Sequence, residues 1–137
     1  MKRIPKIYLS HHFRNSTLNA MLKQMEQLVF PDGVIFLDPA RHKLNIKDNS
    51  DEIVRRNTDD LDNCDLACFF LDNAVTAGVV IELVIAKSQK KDILVFSTIP
   101  IYKINPYIRK MILGKTHPLW STMNNVAGWV GKWYERS

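Results

Sequence analysis

The hydrophobic residues of this chain occur in two patterns, short continuous runs and longer stretches with helical spacing. The clearest run is Leu66–Leu71, which is apolar throughout and is followed by Asp72. Such runs are typical of strands that are buried on both faces of a parallel sheet. After a short polar loop comes the apolar stretch Ala77–Ser88, in which Glu82 is the one carboxylate. The pattern therefore predicts a buried central strand, a loop and an apolar helix.

Strands and helices alternate along the rest of the chain, separated by polar turns and by proline or glycine residues. This β-α-β-α order predicts a single domain over residues 1–137, an α/β three-layer sandwich with a parallel sheet and right-handed crossovers, of the flavodoxin- or Rossmann-like type. The apolar faces of the first two helices are expected to include Val29 and Val54. The predicted strands are Lys6–Ser10, Val34–Leu37, Leu66–Leu71 and Ile93–Ser97, and the predicted helices are Leu18–Val29, one from Asn49 or Ser50 to about Cys64, Ala77–Ser88, Pro106–Leu113 and one that begins near Ser121.

Composition and charge narrow the function classes. The chain has 46% hydrophobic and 24% charged residues, as an ordinary globular protein does, and its formal net charge is +5. The Lys and Arg residues are scattered and form no basic block, so an anionic small molecule is favoured over nucleic acid as the partner. No apolar stretch reaches the length of a membrane span, and the start lacks the apolar core of a signal peptide, so we expect a cytoplasmic protein. Cys64 and Cys68 are expected to be reduced residues of the core.

The loops that follow the predicted strands carry the candidate site, because ligands of parallel α/β sheets collect at the carboxyl ends of the strands. The first loop combines a hydroxyl, an imidazole, a guanidinium and an amide beside a helix N-terminus, which suits a phosphate or a sugar. Capping of the helix by Asn15, with Arg14 exposed to solvent, explains the same residues equally well. The candidate binding residues in these loops are Ser10, His11, Arg14, Asn15, Asp38 and Asp72.

We predict neither a metal nor a cofactor. His11 and His12 are adjacent, so in an extended loop their side chains point apart, and no third ligand is evident. The four aspartates between positions 59 and 65 are more typical of a solvated face than of a metal cluster. The sequence contains no Walker-type glycine-rich loop, no GxSxG and no HExxH motif.

Glu82 is the sharpest candidate for chemistry. A carboxylate about one turn inside a helix stays ionised easily and can act as a nucleophile toward an electrophilic carbon. Without further information, however, a Glu on the exposed side of a helix, where it only interacts with the helix dipole, is the more common situation.

Several short motifs, spread over nearly the whole chain, resemble the nucleoside 2-deoxyribosyltransferase-like superfamily, which includes nucleotide N-glycosidases. The resemblance implies hydrolysis or 2-deoxyribosyl transfer at the N-glycosidic bond of a nucleoside or nucleoside 5′-monophosphate. It also implies a homodimer or a larger homo-oligomer, because members of this superfamily often complete their site from a neighbouring subunit. The motifs are Ile7-Tyr8-Leu9-Ser10, Ile53-Val54…Asn57…Leu61…Cys64-Asp65, Gly78-Val-Val-Ile-Glu82-Leu-Val-Ile-Ala86 and Asn105-Pro106-Tyr107-Ile108.

The resemblance also implies roles for individual residues. Glu82 matches the family's nucleophile, which attacks the anomeric carbon and forms a glycosyl-enzyme that water or a second base resolves. Tyr8 matches a tyrosine that helps to hold the nucleophile, and Gly78 matches the glycine four residues before it. Asn57 stands where an acid is usual on the second helix, so Asp59, Asp60 or Asp72 is expected to substitute for that acid.

Three positions near Glu82 depart from the family's pattern. Ala77 replaces an Asp, Val79 replaces a Thr or Ser, and Val84 replaces a Gly. The loss of these polar groups supports an alternative interpretation, in which the chain is a catalytically inactive nucleotide-binding or protein-interaction module.

A second resemblance implies another substrate. The segments Lys6–Asn15, Phe36–Asp38 and Asn63–Leu66 are similar to signatures of Toll/interleukin-receptor (TIR) domains. Enzymes with that flavodoxin-like fold use a Glu to break an N-glycosidic bond in NAD. Both resemblances therefore imply cleavage between a ribose and a nitrogenous base. The first implies a nucleoside or mononucleotide as the substrate, and the second implies a dinucleotide.

Overall fold

A computed structural model of the chain describes residues 3–11, 16–27, 29–39, 50–72, 77–112 and 123–136. The Arg14 and Asn15 side chains and most of the two loops after the second and third strands lie outside these residues. No helix within the described ranges is long and apolar enough to cross a membrane. The strands are β1 (Lys6–Ser10), β2 (Ile35–Leu37), β3 (Leu66–Leu71) and β4 (Asp92–Ser97), and the helices are α1 (Ser16–Met25), α2 (Ser50–Asn63), α3 (Ala77–Ser88), α4 (Pro106–Ile112) and α5 (Met123–Arg136).

The strands form one parallel sheet in the order β2-β1-β3-β4, and helices cover both of its faces. Alternate residues of each strand point to opposite faces, so the core divides into two hydrophobic clusters. One cluster lies between the sheet and α2 and α3, and the other lies between the sheet and α1 and α5. The predicted three-layer α/β sandwich with a parallel sheet is therefore confirmed. The first cluster includes Tyr8, Leu61, Phe69 and Leu83, and the second includes Ile7, Leu22, Phe70 and Val130.

The direction of the chain across the sheet reverses between β1 and β3. From β1 the chain moves outward to β2, then returns past β1 to β3 and β4. In open parallel sheets a crevice forms outside the carboxyl ends of the two strands on either side of such a reversal. The register pairs Ser10 at the end of β1 with Phe69 near the end of β3, so both strands end at the same edge. This edge is where a ligand site is expected.

Two sequence-based predictions about the helices are wrong. Val29 lies beyond the end of α1 and is 93% exposed, because the chain turns after Met25 and Gly33 closes a second turn onto the Phe30 carbonyl. Val54 is 65% exposed, and the fully buried residue of α2 is instead Leu61, near the C-terminal end of the helix. The helical spacing of apolar residues is present in both places, but both side chains are exposed.

The C-terminus of α3 has the hydrogen bonds of a Schellman motif. The amide of Lys91 donates to the Ala86 carbonyl and the amide of Lys90 donates to the Lys87 carbonyl, each at 3.1 Å. Lys90 therefore has to adopt the left-handed conformation, with φ of 56°. Glycine normally occupies this position, since a Cβ atom makes the conformation unfavourable.

Replacement of Lys90 by glycine is expected to stabilise the protein by about 0.5–1 kcal/mol, because it removes the strain of a left-handed residue that carries a Cβ atom. The free energy of unfolding in urea measures this gain, provided that the slope of the transition is unchanged. Lys90→Ala is the matched control, because alanine removes the charge and the long side chain but keeps Cβ. An equal gain in both variants would show that the charge, and not the backbone conformation, is responsible.

Candidate functional site

Glu82 faces the sheet from α3 and lies at the carboxyl end of β1. The Tyr8 hydroxyl donates a hydrogen bond to its Oε2 atom, and the Ser10 hydroxyl donates to Oε1 at 3.3 Å. Its side chain is half-buried, whereas the neighbouring residue Ile81 is 58% exposed. Glu82 is therefore not on the solvent side of the helix, which was the more common situation for such a residue.

The geometry of a β-strand explains why two hydroxyl groups reach the same carboxylate. Tyr8 and Ser10 are two residues apart on β1, so both side chains point to the face of the sheet that α3 covers. Both are fully buried, and a buried hydroxyl needs a hydrogen-bond partner. The Glu82 carboxylate provides that partner for both, so the contact satisfies the strand and holds the carboxylate in place.

Burial and hydrogen bonding act on Glu82 in opposite directions. Removal from water outweighs the lowering effects of the hydrogen bonds from Tyr8 and Ser10 and of the electrostatic attraction of His11, so the pKa of Glu82 is raised to about 6. Burial and the nearby Glu82 carboxylate raise the pKa of Tyr8 far above its usual value, so its hydroxyl stays protonated and remains a donor. Above about pH 6 the site therefore contains a poorly solvated carboxylate with fixed orientation, which is a suitable arrangement for a nucleophile.

A second polar group lies next to the first, at the ends of β1 and β2. The buried ring of His11 is joined through Nε2 to Oδ1 of Asp38 at 2.9 Å. A hydrogen bond also joins Asp38 to the side chain of Glu26, just beyond α1, and partial burial together with Asp38 raises the pKa of Glu26 to about 7. The sequence predicted His11 and Asp38 as site residues, but Glu26 was missed. Its position four residues after the buried Leu22, and so on the same side of the helix, is the signal that could have indicated it.

The other predicted site residues are distributed around this edge. Asp72 is buried directly after β3, on the far side of the reversal point from Ser10. Asn57 is half-buried on α2, and Gly78 is exposed in the first turn of α3. Arg14 and Asn15 lie outside the described residues, so their predicted roles stay predictions.

Of the acids expected to substitute at Asn57, Asp60 is near enough to Tyr8 to act on the ionisation of its hydroxyl. Asp60 is half-buried on α2, and its negative charge contributes to the raised pKa of Tyr8. Asp59, in contrast, is exposed and accepts a hydrogen bond from Arg55 at 3.3 Å. Asp60 follows Asn57 by three residues and so shares its side of the helix.

Asp65, just after α2, has a structural role away from the site. Asp65 pairs with Arg3 and accepts a hydrogen bond from the backbone amide of Lys6 at 2.8 Å, so it holds the N-terminal segment to the start of β3. Across the described part of the chain, no group of three or more His, Cys, Asp or Glu residues is arranged to hold a metal ion.

Comparison with known proteins gives a match at the level of structure. No protein-family model matches the sequence, and no curated protein sequence is significantly similar to it. Two solved structures of 2-deoxyribosyltransferases are similar in fold. The enzyme from Leishmania mexicana has a TM-score of 0.69 and 19% identity over 93% of this chain and 97% of its own. The enzyme from Bacillus psychrosaccharolyticus has a TM-score of 0.66 and 19% identity over 89% of this chain and 90% of its own.

A conserved protein from Enterococcus faecalis is similar as well, with a TM-score of 0.60 and 20% identity over 90% of this chain and 85% of its own. These matches cover nearly the whole of each chain. At such low identity they show a shared fold, and the fold expected from the resemblance to the 2-deoxyribosyltransferase-like superfamily is thereby confirmed.

Proposed function

We propose that this chain, which has the fold of the 2-deoxyribosyltransferases, cleaves the N-glycosidic bond of a nucleoside or nucleoside 5′-monophosphate, by hydrolysis or by 2-deoxyribosyl transfer. The observation that carries the proposal is the Glu82 carboxylate, which is held by the hydroxyl groups of Tyr8 and Ser10 at the edge where ligands of this fold class bind. Fold alone does not determine function, so the proposal depends on this geometry.

In the proposed reaction a Glu82 carboxylate oxygen attacks the anomeric carbon of the sugar. A carbon–oxygen bond forms as the bond to the base breaks, and the base nitrogen retains the electron pair and takes up a proton. The product is a glycosyl ester of Glu82. Water or an acceptor base then attacks the same carbon and loses a proton, and Glu82 leaves as a carboxylate with its charge restored.

Tyr8 and Ser10 contribute orientation to both steps. Their hydrogen bonds hold each carboxylate oxygen from the side of β1, so the carboxylate cannot rotate freely. Holding a nucleophile in its reactive orientation removes an entropy cost that the free reactants would have to overcome. Asp38 and Asp72, buried at the ends of β2 and β3, are proposed to contact the base or the sugar.

The substrate class is proposed to be anionic or neutral and small. The formal net charge of +5 favours a phosphorylated nucleoside, and Ser10 and His11 are placed at the end of β1 to meet its phosphate or sugar. The Lys and Arg residues are scattered along the sequence, which favours this substrate over a polynucleotide.

The test is chromatographic detection of free base. The purified protein is incubated with separate nucleosides, nucleoside 5′-monophosphates and NAD, each with and without an acceptor base. Release of base from a nucleoside or monophosphate supports the proposal, and dependence on the acceptor distinguishes transfer from hydrolysis. Release of nicotinamide from NAD would instead support the TIR-like alternative, and no release from any substrate would support an inactive binding module.

Replacement of Tyr8 by Phe is expected to reduce kcat by about 10- to 100-fold and to move the acid limb of the kcat/KM profile to higher pH. The reason is that the Tyr8 hydroxyl lowers the pKa of Glu82, whereas burial raises it. Without the hydroxyl the pKa of Glu82 rises, and the carboxylate ionises at a higher pH. A pH series of base-release rates measures both effects.

Tyr102→Phe is the matched control for this variant, because Tyr102 is 72% exposed and lies in the turn before α4. Its pH profile is expected to coincide with that of the unmodified protein. A Tyr8→Phe profile with lower rates but an unmoved acid limb would show that Tyr8 does not act through the ionisation of Glu82.

A further inference from the structure

A cavity of about 540 Å³ opens at the amino edge of the sheet, where β1, β3 and β4 begin. The candidate site lies at the carboxyl edge, and the six residues of β3, at about 3.3 Å per residue, place the two edges about 20 Å apart. The volume is in the range of small-molecule pockets. The proposed reaction uses none of the residues around this amino-edge cavity. Its walls include Arg3, Pro5, Asp65, Asp92, Trp133 and Arg136.

Asp65 holds the first wall of the cavity in place. Its Oδ1 atom pairs with the guanidinium of Arg3, and its Oδ2 atom accepts a hydrogen bond from the amide of Lys6 at 2.8 Å. Arg3 is therefore tied to the cavity although its side chain is 72% exposed. A guanidinium has five N–H donors, so Arg3 retains donors for a ligand after it has paired with Asp65.

The second wall is formed by the end of α5 and the start of β4. Trp133 is buried together with Val126 and Val130 on the face of α5 that packs on the sheet, and its indole Nε1–H donates to Oδ2 of Asp92 at 2.8 Å. This hydrogen bond leaves Oδ1 of Asp92 to accept from a ligand. Arg136 follows Trp133 by three residues, so it lies on the same side of α5, where its side chain is exposed at the end of the helix.

The charged groups of these walls favour a ligand that combines a phosphate with hydroxyl groups. Guanidinium groups bind phosphate oxygen atoms through charge-assisted and often bidentate hydrogen bonds. An ionised carboxylate only accepts hydrogen bonds, so the open oxygen of Asp92 requires a hydroxyl or N–H group of the ligand. Asp65 is paired with Arg3, which offsets its repulsion of an anion. The rings of Pro5 and Trp133 provide apolar surface for the carbon atoms of a sugar.

We propose that the amino-edge cavity is a second ligand site, which binds a sugar phosphate or a nucleoside monophosphate. Arg3 and Arg136 hold the phosphate, and Asp92 accepts a hydrogen bond from a sugar hydroxyl group. Because this site lies at the other edge of the sheet from Glu82, its occupancy requires no bond cleavage. The inference therefore does not rest on the proposed function.

The indole N–H of Trp133 is a reporter for this site, because it forms part of the wall. Protein labelled with 15N is titrated by NMR with ribose 5-phosphate, a nucleoside 5′-monophosphate, ribose and inorganic phosphate in turn. The Trp133 signal is identified by its absence in Trp133→Phe, and the indole signal of Trp129 serves as an internal reference. Both phosphate esters are expected to shift the Trp133 signal saturably, with a Kd at least about tenfold lower than that of ribose or inorganic phosphate.

Arg136→Gln and Lys132→Gln form a matched pair, because each removes one exposed positive charge from α5. The ammonium group of Lys132 lies over the ring of Trp129, 4.8 Å from its centroid, and is not part of the cavity wall. Arg136→Gln is expected to raise the Kd for ribose 5-phosphate by about five- to tenfold, whereas Lys132→Gln is expected to change it by less than about twofold. Circular dichroism establishes that both variants are folded.

The outcomes separate the possible ligands. A lower Kd for the nucleoside monophosphate than for ribose 5-phosphate supports a site that also holds the base, and equal values support a site for the sugar phosphate. No saturable shift with either ester up to about 10 mM, or a Kd for inorganic phosphate as low as theirs, overturns the proposal. Equal effects of Arg136→Gln and Lys132→Gln overturn the assigned contact with Arg136. Base release is measured separately, so its absence would overturn the proposed function alone.

Discussion

Glu82→Gln is expected to lower kcat/KM for base release by at least about a thousandfold, because the amide oxygen of Gln is not a nucleophile at the anomeric carbon. Gln has nearly the same shape as Glu and can still accept a hydrogen bond from Tyr8 and meet the hydroxyl of Ser10. The loss of activity can then be assigned to the missing carboxylate and not to a rearranged site. Initial rates of base release with the best substrate of the panel measure the effect.

A covalent intermediate gives the same prediction a second, independent measurement. Acid quenching of the wild-type protein during turnover, followed by peptide mass spectrometry, is expected to show one added glycosyl group on the peptide that contains Glu82. Glu135→Gln is the control, since Glu135 is exposed on α5 on the opposite side of the sheet from α3. A Glu82→Gln protein that keeps more than about a tenth of the activity would exclude Glu82 as the nucleophile.

The strands were largely predictable from the sequence because buried parallel strands have a simple signature. Leu66–Leu71 is apolar at every position since both faces of β3 are covered by helices. The ends of the helices were less predictable. Val29 continues the apolar periodicity of α1, but the turn that precedes β2 exposes it, and periodicity contains no information about where the chain turns.

The location of the candidate site was predictable from topology, whereas the surroundings of Glu82 were not. Ser10, Asp38 and Asp72 follow strands of a parallel sheet and are all buried at its carboxyl edge. Glu82 lies on α3, whose apolar residues occur on every side of the helix, so the hydrophobic pattern does not distinguish its buried face from its exposed face. Only the packing of α3 against β1 determines that Glu82 points inward.

Helical spacing from residues of known burial provides the missing information for two acids. Glu26 lies four residues after the buried Leu22, and Asp60 lies three residues after the half-buried Asn57. Glu26 is exposed and Asp60 is half-buried, so both positions have the polar character of a surface and give no hydrophobic signal of their own. The hydrogen bond between Glu26 and Asp38 and the electrostatic effect of Asp60 on Tyr8 arise from tertiary packing, which a single sequence does not encode in a readable pattern.

The same replacement that removes activity is expected to stabilise the protein. Burial raises the pKa of Glu82 to about 6 from an ordinary value of 4.5, so the folded protein binds a proton at this site more tightly than the unfolded chain does. Stability from this group is therefore fully present below about pH 4.5 and is lost as the pH rises through 6. The shift corresponds to about 2 kcal/mol at neutral pH, since one pKa unit is worth about 1.4 kcal/mol.

Because Gln carries no charge, Glu82→Gln is expected to be more stable than the wild type by up to about 2 kcal/mol near pH 7.5 and about equally stable below pH 4.5. Urea unfolding of both proteins across this range measures the difference, and Glu26, which titrates in both, cancels from the comparison. Glu135→Gln, at an exposed position, is expected to show no such pH-dependent gain.

A stability difference between Glu82→Gln and the wild type that does not grow between pH 4.5 and 7.5 would mean that burial does not disfavour the Glu82 carboxylate. A difference that does grow would mean that the fold maintains a destabilising charge at this site, which is the expected property of a residue retained for its chemistry.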